Sequence, residues 1–310
     1  MNLSTQAGEW SFPLGVAAGL DKEANLISFF NNLGVGGLEV GTVTPLEQSG
    51  NPKPRLFRLI QDKSILNRMG FNGPGADIVR NNILKQSSKN IILGINIGKN
   101  KITDESLAIE DYKICFNKLK DLGNYFVVNV SSPNTSGLRD LQTESFIKDT
   151  FNELKKLNEK NVPIYIKIAP DLDDNQIKSI TEASIDSGFK GLVVCNTTIM
   201  KNIGTGGVSG ELLYDKAKNV RRKVLEITKR SNQFDVIGVG GVSDFSHLWD
   251  FWQQGGKIMQ IYSSLIYQGP GLFQNFEMQM KKAIKYFGAI NLEELLEMIY
   301  EEKLNLPTTF

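Results

Sequence analysis

Tyr125–Phe126–Val127–Val128–Asn129–Val130–Ser131–Ser132–Pro133–Asn134–Thr135 runs from an unbroken apolar segment straight into polar side chains. Four apolar residues in a row suit a parallel strand buried on both faces. The two asparagines, two serines and threonine that follow stand where such a strand ends. Shielded from water without a partner, each would cost about 1–3 kcal/mol. A ligand rich in donors and acceptors is the simplest partner, so this strand end reads as part of a site.

Seven further segments have the same character: Pro13–Ala18, Gly37–Thr44, Ile91–Ile97, Ile164–Ala169, Leu192–Asn196, Val236–Gly240 and Ile258–Ser263, with the strand here bounded Tyr125–Ser131. Helical spacing fills the intervals at Lys22–Leu33, Ala76–Lys85, Ser106–Leu122, Thr143–Leu157, Asp174–Ser187, Tyr214–Lys229, Phe245–Gln253 and Leu272–Lys285. In the fifth of these, Ile177, Ile180, Ala183, Ser184 and Ile185 follow i, i+3 and i+4 steps and Gly188 supplies a stop. Strand and helix alternating eight times predict an α/β fold, a single-domain closed (β/α)₈ TIM barrel. A doubly wound open sheet is the competitor, but no mid-chain boundary supports it.

The barrel is expected to occupy residues 1–290, with residues 291–310 as a C-terminal amphipathic helix and tail. Leu292, Leu295, Leu296 and Ile299 make an apolar stripe with acidic residues elsewhere. It suits packing on the barrel or a neighbouring subunit better than a membrane surface, which favours Lys and Arg. Two connections, Pro45 to Pro74 and Thr198 to Gly210, read as long loops after strand C-terminal ends, where barrels place lids and binding loops.

Composition narrows the function classes. The 310 residues carry 35 basic and 34 acidic side chains, a net charge of +1, which fails to suggest the basic face of a nucleic-acid binder. Cys115 and Cys195 form no CxxC pair and His247 is the only histidine, so no metal site is predicted. Sparse cysteines suit a reducing cytoplasm. No apolar run reaches the ~18–20 residues of a membrane span, and no signal peptide is recognisable. His247 is expected at a solvated position within a helix, which speaks against a Ser-His-Asp triad.

Candidate chemistry collects at strand ends. Ala17–Ala18–Gly19 would let a flat ligand approach the backbone, and Lys22 offers a point charge for a substrate carboxylate, unless it is only a solvated helix start. Lys167, amid Ile164–Ala169, needs a partner in low dielectric; a ring gaining negative charge is one candidate, and outward snorkelling is the alternative. Gly238–Val239–Gly240–Gly241 and Tyr262–Ser263–Ser264, with Gly269–Pro270–Gly271, stand where barrels bind phosphate through backbone N–H groups. Gly94–Asn100 resembles a nucleotide P-loop but has the wrong spacing and Asn in place of Ser/Thr. Neither Gly204–Gly210 nor Gly238–Val242 fits the dinucleotide pattern.

Taken in order, AAGLDK (Ala17–Lys22), GTVTP (Gly41–Pro45), GNPKPRLFRL (Gly50–Leu59), NRMGF (Asn67–Phe71), GINIGKNK (Gly94–Lys101), NVSSPNTSGLR (Asn129–Arg139), KIAPDL (Lys167–Leu172), NTT (Asn196–Thr198), GGVSG (Gly206–Gly210), GVGGV (Gly238–Val242) and IYSSLIYQGP (Ile261–Pro270) resemble the dihydroorotate dehydrogenases of the quinone-using class 2. The resemblance implies FMN as cofactor and oxidation of dihydroorotate to orotate in pyrimidine biosynthesis. It implies flavin contacts at Ala17, Ala18, Gly19, Asp21, Thr42, Asn96, Asn129, Lys167, Cys195, Gly210, Gly241, Tyr262 and Ser263. Substrate contacts would fall on Lys22, Asn67, Arg68, Met69, Gly70, Phe71, Asn129, Asn134, Asn196 and Thr197.

In that family's pattern Ser132 holds the catalytic-base position, Thr135 is the neighbour for a proton relay to water, and Lys167 stabilises reduced flavin. Serine rather than cysteine as base favours quinone as oxidant. Two departures stand out. Strand 1 begins near Pro13, so the N-terminal helical pair of the quinone class is expected to be missing. Cys195 replaces the usual threonine, a lost hydroxyl worth at most ~1 kcal/mol. Peripheral contact with the cytoplasmic face of the inner membrane and a monomeric or homodimeric state complete the expectation. The rivals are another FMN barrel, such as a tRNA dihydrouridine synthase, and an inactive scaffold.

Overall fold

The computed structural model describes residues 2–86, 90–229, 231 and 233–307, so the end of the predicted tail, 308–310, lies outside the described residues. Its strands in chain order are β1 (Leu3–Thr5), β2 (Gly8–Trp10), β3 (Leu14–Val16), β4 (Gly37–Val43), β5 (Leu56–Leu59), β6 (Ser64–Asn67), β7 (Ile92–Ile97), β8 (Tyr125–Asn129), β9 (Ile164–Ile168), β10 (Gly191–Val194), β11 (Gly207–Gly210), β12 (Asp235–Val239) and β13 (Ile258–Ile261). Its helices are α1 (Ile27–Leu33), α2 (Ala76–Leu84), α3 (Ala108–Leu119), α4 (Glu144–Leu157), α5 (Asp174–Ser187), α6 (Tyr214–Thr228), α7 (Phe245–Gln253), α8 (Ser263–Gln268), α9 (Gly271–Phe287) and α10 (Leu292–Glu302).

Strands β3, β4, β7, β8, β9, β10, β12 and β13 close into one parallel barrel, each paired with the next along the chain. These are the eight predicted strands, and the expected (β/α)₈ architecture holds. Their side chains are buried almost throughout, as continuous Val/Ile/Leu runs require when helices cover the outside. The apolar stripe of α10 (Leu292, Leu295, Leu296, Ile299) is buried, and the helix packs against α7 and α9.

The barrel interior is filled from below by aromatics. Tyr125 and Tyr165 meet edge-on at 5.1 Å between ring centres, and Trp10 is fully buried against Gly15 and Gly37. A Cβ on Gly94 would lie 2.2 Å from the Tyr125 ring, and one on Gly37 2.3 Å from the Trp10 indole. Glycine at these strand positions therefore makes the room. The β1–β2 hairpin that carries Trp10 is tied down where Asp235 Oδ2 accepts from the Gln6 N–H at 2.8 Å and from the Tyr165 hydroxyl at 2.6 Å.

Three sequence expectations need correction. The two long connections are not loops throughout: β5, β6 and β11 form a three-stranded antiparallel sheet. β5 and β6 are four-residue strands of one hairpin, too short to show a clear period, and β11 pairs with β6 from the other connection. The β1–β2 hairpin and the short α8 were also not anticipated. The helix expected from Lys22 begins only at Ile27. Ahead of it, Ala24 has φ 59° and the Asp21 carboxylate takes the N–H groups of Asn25 and Leu26 at 2.9 and 2.8 Å, replacing helical hydrogen bonds. Among the described residues, no helix is long and apolar enough to cross a membrane.

Candidate active site

One cleft, with about 1130 Å³ of empty space including its open mouth, sits over the C-terminal ends of the barrel strands. Strand ends deliver Ala17, Thr42, Asn129, Lys167 and Cys195, while the β5–β6–β11 sheet contributes Asn67 and Gly210 as a side wall. Register Asn67↔Gly207 in that sheet, with Asn67 Nδ2 donating to Gly207 O at 3.2 Å, ties the two long connections together over the site. The other wall is the Gly240–Gly241 turn, where both glycines have positive φ (108° and 75°) and a Cβ on Gly241 would lie 2.5 Å from the Tyr214 Cα.

Of the residues the sequence nominated, all but Asp21, Arg68, Asn96 and Thr135 line this cleft. Asp21 is buried, accepting backbone N–H groups; burial pushes its pKa up, and those backbone donors pull the other way. Arg68 turns away, donating to Pro54 O at 3.0 Å with its guanidinium 4.9 Å from the Phe57 ring centre. Asn96 is fully buried, hydrogen-bonded to cleft-lining Thr42 and Asn129. Thr135 is buried, and no hydrogen bond among the described residues joins it to Ser132.

The floor is a polar network built on Glu39, which the sequence reading passed over. Its Oε1 accepts from Asn96 Nδ2 at 2.7 Å and from Lys167 Nζ at 3.3 Å, and its Oε2 accepts from Gln260 Nε2 at 3.0 Å. Lys167 thus points inward, and the partner it needed is a carboxylate. Asn96 Oδ1 in turn accepts from the Thr42 hydroxyl at 2.5 Å and from Asn129 Nδ2 at 3.1 Å. Asn129 Oδ1 accepts from Asn196 Nδ2 at 3.4 Å. Because a carboxylate only accepts, every amide in this chain must turn its NH₂ toward Glu39.

Arg139, the last residue of the NVSSPNTSGLR motif, is a further functional residue, one for which the sequence predicts no role. Its guanidinium donates to Ser131 O (3.0 Å), Thr197 O (2.7 Å) and Asp171 Oδ2 (2.7 Å), clamping the ends of two strands. Gln260 was missed as well. Two polar atoms of cleft residues, Gln260 Oε1 and Ser264 Oγ, are buried with no partner among the described residues.

Ser132 lies at the cleft with its Oγ accepting the Asn134 N–H at 3.3 Å. Asn134 Nδ2 donates to Asn67 Oδ1 at 3.1 Å. Cys195 is buried, its thiol pushed up to about 12 by burial, so it stays neutral and presents only a weak donor. His247 is half-buried rather than solvated. Its ring stacks on Tyr214 at 3.7 Å and its Nδ1 accepts the Ser243 N–H at 3.2 Å, because its face of α7 turns onto α6.

Lys22 lines the cleft and donates to Asn72 Oδ1 at 3.0 Å. Burial first, and the nearby Arg55 cation second, lower its pKa to about 8. A lysine is charged below its pKa, so an anionic substrate loses this partner as pH rises through that value. For a carboxylate substrate, kcat/KM is expected to fall on an alkaline limb centred near pH 8, since kcat/KM reports the free enzyme. In Lys22→Met that limb should vanish; a profile identical to wild type would remove Lys22 from substrate binding.

The family profile described as dihydroorotate dehydrogenase matches residues 3–284. The chain belongs to the dihydroorotate dehydrogenase family. Among this family's members, a protein named dihydroorotate dehydrogenase (quinone) from Nitratiruptor sp. is 39% identical over 289 residues, covering 92% of this chain and 81% of that one. One of the same name from Vibrio atlanticus is 44% identical, covering 84% and 81%. The crystal structure of the Eimeria tenella DHODH in complex with ferulenol superposes with TM-score 0.89 at 30% identity, covering 98% of this chain and 89% of that one. These findings bear out the resemblance read from the motifs.

Proposed function

We propose that the cleft binds FMN and oxidises (S)-dihydroorotate to orotate, with a quinone as final oxidant, in the de novo synthesis of pyrimidine nucleotides. What carries this reading is the convergence of Lys22, Asn67, Ser132, Asn134 and Lys167 on one cleft at the barrel mouth. The donor set fits a flavin. Partnerless Gln260 Oε1 and Ser264 Oγ stand ready for a ligand, and the Gly240–Gly241 turn has no side chain to obstruct a phosphate. Ala17, Ala18, Gly19, Thr42, Asn129, Lys167 and Cys195 would hold the ring end, and Gly210, Gly241, Tyr262 and Ser263 the phosphate end. Asp21 and Asn96 would act from behind that surface.

When bound, FMN supplies the acceptor for the hydride that leaves carbon 6 of the substrate. Lys22 anchors the substrate carboxylate, and Asn67, Asn134, Asn196 and Thr197 hold its ring amides. Met69, Gly70 and Phe71 close the pocket beside them. Ser132 Oγ takes the proton from carbon 5, leaving the carbon 5–carbon 6 double bond of orotate. The Asn134 N–H directed at Ser132 Oγ steadies negative charge there as the hydroxyl proton moves out to water. Thr135 belongs to that relay through an intervening water. Peripheral contact with a quinone-bearing membrane, as a monomer or homodimer, is part of the same reading.

Purified protein should be yellow, and dihydroorotate should bleach it anaerobically. Reoxidation should be faster with a short-chain quinone than with fumarate or NAD. A colourless protein that dihydroorotate leaves unchanged would sink the proposal, and would favour a scaffold role.

A further inference from the structure

We propose that Gln260 is an additional binding residue of this site, its side-chain carbonyl accepting a hydrogen bond from the ring imide N–H of the flavin. Glu39 is the positioning residue that keeps that carbonyl turned to the cleft. The inference rests on the flavin reading above and adds to it a group that selects the ring.

Gln260 sits on β13, is fully buried (0% exposed), and lines the cleft. Its Nε2 lies 3.0 Å from Glu39 Oε2 and 3.0 Å from the Tyr125 hydroxyl, so both amide hydrogens are taken by the protein. Its Oε1 has no partner among the described residues. The orientation is dictated: a carboxylate accepts only, so the NH₂ end must face Glu39 and the carbonyl is left over. Buried acceptors without donors are few in native proteins and costly where they occur. One placed at the wall of a ligand cleft is best explained by a donor that arrives with the ligand.

The chemistry of that donor follows from the neighbours. Lys167 lines the same cleft and is held by the same carboxylate as Gln260. A lysine offers three donors and no acceptor. The floor therefore sets a donor beside an acceptor, the complement of a ring that carries a carbonyl next to an N–H. The imide of the flavin pyrimidine ring has that pattern. In Glu39→Gln the new amide can donate toward Gln260, so the Gln260 side chain can turn over and show its NH₂ to the ligand instead.

The test uses holoenzyme carrying ¹⁵N-labelled FMN. The imide proton should give a sharp resonance that exchanges slowly with water in the wild type. In Gln260→Met and in Glu39→Gln it should shift and exchange faster, and in Gln260→Met the FMN dissociation constant should rise between about fivefold and a hundredfold. FMN methylated at the imide nitrogen should bind wild type at least about tenfold more weakly than FMN, and Gln260→Met should discriminate less. Should either variant fail to fold, the methylated flavin on wild type decides alone. An unchanged imide resonance in folded variants, or equal affinity for the methylated flavin, overturns the inference and assigns Gln260 Oε1 to a buried water. Wild-type protein that retains no FMN at all would instead overturn the functional reading, and this inference with it.

Discussion

Ser132→Ala should lower the rate of flavin reduction by dihydroorotate about 10²–10⁴-fold while FMN content stays at the wild-type level. The range is that of a positioned proton acceptor removed from an otherwise intact site. Among the described residues Ser132 Oγ makes one hydrogen bond, from the Asn134 N–H at 3.3 Å, so its deletion costs the fold little. Lys167, Asn129 and Thr42 do not bond to it, and the flavin floor stays assembled. Ser132→Cys should recover part of the rate and move its pH dependence down, because a thiol ionises more readily than a hydroxyl. Anaerobic stopped-flow reduction distinguishes these outcomes. A reduction rate in Ser132→Ala within threefold of wild type, by the scale of such effects, would remove the hydroxyl from proton transfer.

Lys167→Met should destabilise the protein by about 3–5 kcal/mol and strip it of flavin. The ammonium and the Glu39 carboxylate meet at 3.3 Å with side chains only 6% and 0% exposed, so removing one leaves the other charged and dry. Asn96 and Gln260 still donate to Glu39, but two neutral donors do not replace a cation. The double variant Lys167→Met with Glu39→Gln removes both charges and should regain most of the stability, since a buried ion pair is worth little against neutral groups of the same shape. Flavin affinity should stay low in the double variant. Denaturant midpoints and FMN content report the two effects separately. A single variant less than about 1 kcal/mol below wild type would mean that the pair is not dry in solution.

Both predictions depend on groups of unequal visibility in the chain. The eight barrel strands were legible because their Val/Ile/Leu runs have no other use. Helices α5 and α7 were legible to the residue. Asp173 and Gln176 form a capping box and Gly188 closes α5 in the left-handed conformation, while the Asp244 carboxylate caps α7. The β5–β6–β11 sheet was not, because Asn67 and Gly207 pair across a separation that no local pattern encodes. Lys167 stood out as a charge inside an apolar run. Glu39, in Gly37–Leu38–Glu39–Val40, carries the same signal, a charge inside an apolar run, and is the partner. Gln260 was harder to notice, since an uncharged amide in a strand often meets a neighbour's backbone.

The Trp10 plug has a consequence for traffic. The indole is wedged against Gly15 and Gly37, at the starts of β3 and β4, and fills the lower end of the cylinder. Anything that reaches the strand C-terminal ends therefore comes from the upper side, onto which the cleft opens.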